Sequence, residues 1–278
     1  MHFTRREKLF ILPLVTFLFL VALFVFIYPV YWLLTISLKP QVEAFRTPPS
    51  WIFLPTFKHY IRLFVQADFL RYFTNSMVIS VGATLLALFL GVPASYSLSR
   101  GKFRGKNKVL FAILASQMVP PILFIIPYFT TFVKLQLIDT RIGLIIISLS
   151  FTLALVTWSM RAFFDDIPIE LEEAAKIDGA SDLQIFIKII LPLVSNGAVA
   201  TGIISLVLCW NQFLFPLVLT RYKAITATVA LMTFMAAEAE DWGLMASGSI
   251  MLTLPVLVFS ILIRKYLARG LVAGALKG

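Results

Sequence analysis

One cysteine, two histidines and fourteen acidic residues in a chain of 278 leave little material for chemistry. Cys209 has no second thiol, so a disulfide and a thiolate metal cluster are both excluded. His2 and His59 lie in separate polar segments and offer neither a metal centre nor a nucleophilic triad. No G-x-x-x-x-G-K-[ST] string occurs, so the chain has no phosphate cradle of that kind for binding and hydrolysing ATP. Charge is scarce as well: 14% of residues are Asp, Glu, Lys or Arg, against about 25% in soluble domains. Apolar residues make up 60%. The composition is that of an integral membrane protein, and no convergent acid, base or metal set argues for a membrane enzyme.

The few charges are also clustered. Six windows hold no Asp, Glu, Lys, Arg or His: Phe10–Leu38, Tyr72–Ser99, Val109–Val133, Ile142–Met160, Ile189–Thr220 and Trp242–Ile263. Each is as long as the 18 or so residues that a spanning helix needs. A seventh, Ala224–Ala237, is too short and reads as interfacial or re-entrant. Six spans put both termini on one side. Arg100, Lys102, Arg104, Lys106 and Lys108 crowd a short connection, and short loops obey the positive-inside rule best, so that side is cytoplasmic. The formal charge of +10 thus reports topology and contact with anionic lipid; no basic run interleaved with aromatics argues for nucleic acid. Proton- and ion-driven carriers usually need ionisable groups inside the membrane. The windows have none, so the driving energy is expected from another subunit.

The chain divides into a first span with its outside loop (residues 1–70), a core of five spans (71–265) and a short tail (266–278). Phe10–Leu38 is too long for a signal-peptide core and is read as uncleaved. Residues 57–69 suit an interfacial helix. Pro120, Pro121 and Pro127 bend or break the third span. The fifth carries Trp210, Asn211 and Gln212 near its outer end.

The one long polar interruption is Ile167–Leu193. Pro168 suits a first helical position, and Glu170, Glu172 and Glu173 fit the positive end of a helix dipole. Ala174 and Ala175 keep one face low enough for another backbone to approach. Gly179 suits a left-handed cap, and Ser181 with Gln184 reads as a capping box that starts a second helix at once. Two short helices hinged at a glycine, between two membrane segments, have the form of a docking element.

These residues carry a family resemblance. Glu173-Ala174-Ala175, three residues, Gly179, nine residues and then Ile189-x-Leu191-Pro192 matches the EAA motif of ABC importer permeases in every fixed position. The surrounding Ile167–Ser181, with Ala94–Arg100, Gln117–Pro120, Trp210–Thr220 and the tail from Arg269, resembles the carbohydrate-uptake, maltose-permease-like branch. The resemblance covers roughly residues 70–278. It implies an all-α, polytopic fold with six transmembrane helices, cytoplasmic termini, and EAA coupling helices (about 163–192) between spans 4 and 5.

It implies roles as well. Glu173 would pair with a basic residue of an ATPase subunit, Ala174 and Ala175 would allow close seating there, Asp178 would belong to the same coupling set, and Gly179 would set the angle between the two short helices. The tail from Gly270 resembles a segment that can reach the ATPase interface, and also suits a simple anchor. The partners implied are a second, different permease, two ATPase subunits carrying ATP and magnesium, and an extracytoplasmic solute-binding protein. The chain itself binds no cofactor or metal. The location implied is a bacterial or archaeal plasma membrane. Asn75, Trp210, Asn211 and Gln212 offer stacking and amide groups for a sugar path, and suit interhelical hydrogen bonds equally. Glu238, Glu240, Asp241 and Trp242 align with a loop that probes the docked binding protein. The expected function is thus a non-catalytic permease subunit of a carbohydrate importer. A permease for a polyol or glycerol phosphate, and from another class a self-contained secondary carrier, are the alternatives.

Overall fold

Backbone polar groups in a membrane must be satisfied within the segment, which favours helices. The computed structural model describes the backbone of residues 5–44, 46–237 and 241–275, and side chains over 13–44, 46–234 and 241–264. Among these residues every regular element is helical and no strand occurs. Calls on Glu238, Glu240 and the last tail residues, 276–278, lie outside the described residues.

The chain separates into two compact units, one of residues 1–69 with 231–253 and one of 70–230 with 254–278. The first unit opens with α1 (Arg5–Leu38), followed by a short α2 (Gln41–Ala44) and α3 (Lys58–Val65). Pro13 and Pro29 lie inside α1. Its apolar stretch from Pro13 to Leu38 buries almost nothing within the chain. The loop returns onto the end of α1: Thr56 N–H donates to Leu38 O, and Ser37 Oγ pairs with Tyr60 OH at 2.9 Å.

The second unit is built on α4 (Phe69–Arg100), α5 (Lys106–Met118), α6 (Ile125–Lys134) and α7 (Arg141–Asp165). There follow α8 (Glu170–Ile177), α9 (Asp182–Ile185), α10 (Leu191–Leu193), α11 (Ser195–Trp210) and α12 (Leu214–Leu219), and then α13 (Ala227–Ala237), whose residues from 231 on belong to the first unit. The last helix, α14, runs Trp242–Ala275 without interruption. Helices α5 and α11 both pack on α7. Glycines set the spacing: a Cβ on Gly91 would meet Val156 of α7, and one on Gly202 would meet Leu88 of α4.

Four helices are long and apolar enough to cross a membrane: Pro13–Leu38, Phe69–Arg100, Arg141–Asp165 and Trp242–Arg264. Two bent pairs raise the number to six if each pair is one span. The third window is broken as its prolines predict, by 97° between Lys106–Met118 and Pro121–Lys134. Val119, ahead of Pro120, is extended (ψ 124°), because a following proline disfavours the helical region.

The fifth window differs from expectation. It is not one helix but α10, α11 and α12 with breaks at Val194 and at 211–213. Asp182–Leu193 and Ser195–Trp210 meet at 72°. Just before this bend the helix widens to a π turn at Phe186–Ile190, with Leu191 N–H donating to Phe186 O. The cause is Pro192, which has no N–H and whose ring crowds the carbonyl four residues back; a wider turn relieves that clash.

Candidate functional site

The elbow at Gly179 is built from local chemistry. Glu170, Glu172 and Glu173 occupy the first turn of α8, as their charge predicts. Pro168 falls outside the helix, two residues before Glu170, and the cap is Ile169 without a side-chain bond. Its expected place at the first helical position is therefore corrected: the chain is still turning there, with Leu171 N–H donating to Pro168 O. At the other end Gly179 is left-handed (φ +83°). Its N–H bonds Lys176 O and the N–H of Ala180 bonds Ala175 O, both at 3.0 Å. That is a Schellman ending, which satisfies the orphan carbonyls of α8. The capping box then forms: Ser181 Oγ accepts from Gln184 N–H, and Gln184 Oε1 from Ser181 N–H. Across the elbow, Lys176 Nζ reaches Asp182 at 3.0 Å. That hydrogen bond and charge raise the Lys176 pKa, and as a solvated pair they add little stability.

The neighbouring glutamates have different surroundings. Glu172, to which the motif assigns no individual role, is only 6% exposed. Arg100, the last residue of α4, donates Nε–H to Glu172 Oε1 at 2.6 Å. Tyr96 OH donates to Oε2 at 2.9 Å, so both carboxylate oxygens are engaged. Arg100 also donates to Ile167 O at 2.6 Å. The same helix end holds α7 through Ser99 Oγ and Asp165, while Lys106 Nζ donates to Ser99 O. A buried charge needs a partner, and here the partner fastens the elbow to a spanning helix. The sequence signal was Tyr96 and Arg100 within the family-like stretch Ala94–Arg100, but nothing along the chain points them at residue 172.

The two alanines also divide. Ala175 turns inward to join Val156, Met160, Phe164, Ile185 and Ile190 in one apolar cluster. Its side chain packs within its own chain. Ala174, Glu173, Asp178 and Gly179 remain exposed. Beside them Ile177 is 87% and Leu183 66% exposed. One side of the elbow is locked in, and the other presents large apolar side chains around a carboxylate.

The residues expected on a solute path do not come together as one group. Asn75 is fully buried: Nδ2 donates to Lys223 O and Ile225 O, and Oδ1 accepts from Arg141 Nε. Its amide is consumed in holding the loop before α13. Asp139 holds the same loop by accepting the N–H groups of residues 221–224 at 3.0–3.2 Å. Burial alone would raise the Asp139 pKa, but these four donors keep it below the usual carboxylate range. The stabilisation is therefore present at neutral pH and is lost only as pH falls through the depressed value. Trp210 is 2% exposed and meets Phe73 and Phe259 edge-on, so its face is not available. Asn211 is exposed, but its Nδ2 donates to Val207 O in its own helix.

Gln212 lines a cavity of about 310 Å³, with Gln117, Ser148, Thr152, Phe151 and Phe213 among its other walls. Those walls come from three separate windows of the sequence.

In the first unit, Asp241 is 5% exposed and held by Arg62 and His59, with one oxygen capping the N–H of Leu244. His59 Nε2 pairs with Lys39 O at 3.0 Å, and a Cβ on Gly243 would collide with the His59 ring. Asp241 is thus engaged within its own fold. Trp242 is exposed. Among the described residues, no three His, Cys, Asp or Glu side chains are grouped to hold a metal ion.

Comparison with known proteins gives a consistent picture. Residues 83–271 match the family described as the binding-protein-dependent transport system inner membrane component. The trehalose transport system permease protein SugB of Mycobacterium tuberculosis is 37% identical over 255 residues, covering 90% of this chain and 92% of that one. The arabinooligosaccharides transport system permease protein AraQ of Bacillus subtilis is 30% identical over 268 residues, covering 95% of each. In fold, the chain is similar to one in the crystal structure of a bacterial ABC transporter that imports the acidic polysaccharide alginate. The TM-score is 0.79 at 24% identity, covering 96% of this chain and 99% of that one.

Proposed function

Since the chain belongs to the family of binding-protein-dependent transport system inner membrane components, we propose that it forms half of the pore of an ATP-driven carbohydrate importer. The family is one of transport subunits, and the chain is a multi-pass membrane protein without an enzymatic role of its own. Its partners in this reading are a second, different permease, two ATPase subunits that carry ATP and magnesium, and an extracytoplasmic solute-binding protein. Carbohydrate is favoured because the relatives named above are transporters of trehalose and of arabinooligosaccharides.

The observation that carries the reading is the two-sided elbow. Its inner side is fastened to α4 by Glu172 and Arg100, and its outer side offers Glu173, Ile177 and Leu183 to a partner. A docking element must do both, since a force received on one face reaches the spans only through contacts on the other. Closure of the ATPase subunits around ATP would push the elbow, and α4 and α7 would follow it, switching the pore between inward- and outward-facing.

Six spans, counting each bent pair as one, put the elbow and both termini on the cytoplasmic side of the plasma membrane in this reading. Cysteines at 104 and 173 should then react with a membrane-impermeant maleimide only from the cytoplasm, and one at 222 only from outside. The reverse pattern would invert the topology. Function is tested by reconstitution. Uptake of a neutral oligosaccharide should require all five components, and the isolated chain should hydrolyse no ATP. Turnover by the pure chain, or uptake without the ATPase, would contradict the reading.

A further inference from the structure

The geometry points to a subsite for an uncharged sugar within this subunit, in the cavity where its two broken windows meet. The inference rests on the transport reading above and names the solute class that the path accepts. Irregular backbone at membrane depth is tolerated where it lines a cavity or is buried in protein. Interrupted helices in transporters often mark the solute site for that reason. Here the break after Met118 contributes Gln117 and Pro121, the break at 211–213 contributes Gln212 and Phe213, and the straight helix α7 between them contributes Ser148, Phe151 and Thr152.

The polar groups divide into those already engaged and those left over. Ser148 Oγ donates to Gln212 Oε1 at 2.7 Å, which fixes that amide and turns its Nε2 away from Ser148. Gln117 Nε2 donates to Phe151 O at 3.0 Å, which fixes the other amide. Among the described residues, none accepts from Gln212 Nε2 and none donates to Gln117 Oε1. The cavity thus holds one oriented donor group and one oriented acceptor, each held by a bond on its other atom. A hydroxyl both donates and accepts, so an array of hydroxyls suits this pair.

The remaining wall is apolar. Phe151 and Phe215 stack with centroids 5.1 Å apart, and Phe213 stands beside them. Phe215 is only 2% exposed and backs Phe151, so the ring surface left for the C–H face of a pyranose is that of the half-buried Phe151 and Phe213. The volume of about 310 Å³ is at the lower end of ligand pockets, roughly 300–1,000 Å³, and suits a sugar of one or two rings. Among the described residues, no Lys, Arg, His, Asp or Glu lines it. A phosphate or uronate entering there would lose its water without gaining a counter-charge. The site therefore selects against sugar phosphates, glycerol phosphate and acidic sugars.

The test uses the assembled importer in proteoliposomes, with Leu208→Cys placed at the cavity wall in a Cys209→Ser background. Alkylation of that thiol by a small membrane-permeant reagent is followed with and without solute. Trehalose or maltose should slow alkylation by about tenfold, the worth of one good hydrogen-bonded contact. Glucose 6-phosphate and a diuronate at equal concentration should not. Gln212→Leu and Gln117→Leu, made separately, should each remove the protection and lower uptake by a similar factor. Hydrolysis of ATP stimulated by the loaded binding protein should persist, which shows that the complex is folded and docked. Equal protection by the anionic sugars would overturn the neutral selectivity. Protection unchanged in both leucine variants would overturn the residue assignment. Normal uptake with no protection by any sugar would overturn the subsite while leaving the importer reading intact. Absence of carbohydrate uptake by the unmodified complex would remove both.

Discussion

Replacement of Glu172 by alanine should abolish uptake, while the same change one residue later, at Glu173, should leave a slowed but working importer. The two side chains fail by different physics. Glu172 is buried with both oxygens bonded, so its loss strands the Arg100 guanidinium, itself only 17% exposed. Breaking a buried pair from one side costs about 3–5 kcal/mol, a large part of the stability of any domain. Arg100 would then swing to solvent, releasing Ile167 O as well, and the elbow would no longer move with α4.

Glu173 is exposed. Its value lies at the proposed ATPase contact, where one charge-assisted bond contributes about 1.5–3 kcal/mol. Assembly should survive its removal, because an interface of standard size spreads its energy over many contacts. A third variant separates folding from coupling. Arg100→Met with Glu172→Leu replaces the pair by apolar groups, which is often neutral for stability. It should restore the amount of subunit in the membrane without restoring uptake per ATP hydrolysed. If Glu172→Ala transports as Glu173→Ala does, the Arg100 pair is not the link between elbow and spans.

Gly179 gives the second large effect, and again the identity of the replacement decides it. The backbone sits at φ +83°, yet a Cβ there would meet nothing within 4 Å. Steric room is therefore not the issue; the conformation is. Asparagine tolerates the left-handed region, so Gly179→Asn should transport at close to the normal rate. Gly179→Ala should cost about 1 kcal/mol and show reduced uptake. Gly179→Val places a β-branched side chain where it is strongly disfavoured, so the Schellman ending opens and α8 and α9 lose their angle. Uptake should be lost, with the ATPase subunits no longer retained in washed membranes. Equal behaviour of the asparagine and valine variants would show that the elbow angle has no part in coupling.

What could be read from the sequence was what short-range chemistry decides. Gly179, Ser181 and Gln184 announce a helix end and a helix start, and both form as their local rules require. The pair Pro120-Pro121 announces a break, and the chain bends by 97° there. Charge-free windows announce long apolar helices. What could not be read depends on residues far apart in the chain. Glu172 and Glu173 are indistinguishable as letters, and only the approach of α4, bringing Arg100 and Tyr96, decides which is buried. Asn75 and Trp210 suit a sugar as residue types, but Arg141 and the loop at 223–225 consume the one, while Phe73 and Phe259 cover the other. Ala175 faces its own core because Ile185 and Ile190 fold back onto it past the elbow. The widened turn ahead of Pro192 depends on the helix continuing from Ser181 through Ile190. The cavity at Gln212 was hidden for the same reason, since its walls come from three windows that the sequence presents as separate spans.

The central claim is that the exposed side of the elbow is the surface on which the ATPase sits. Site-specific photocrosslinking from residue 177, the most exposed apolar side chain of the elbow, tests it most directly in the fully assembled importer. A photoreactive amino acid at that position should join this chain to the ATPase subunit in high yield, and the yield should change when ATP is bound. The same probe at 142, on the far end of α7, should give no such product. Crosslinks from 177 to lipid or to the second permease alone, with none to the ATPase, would contradict the account.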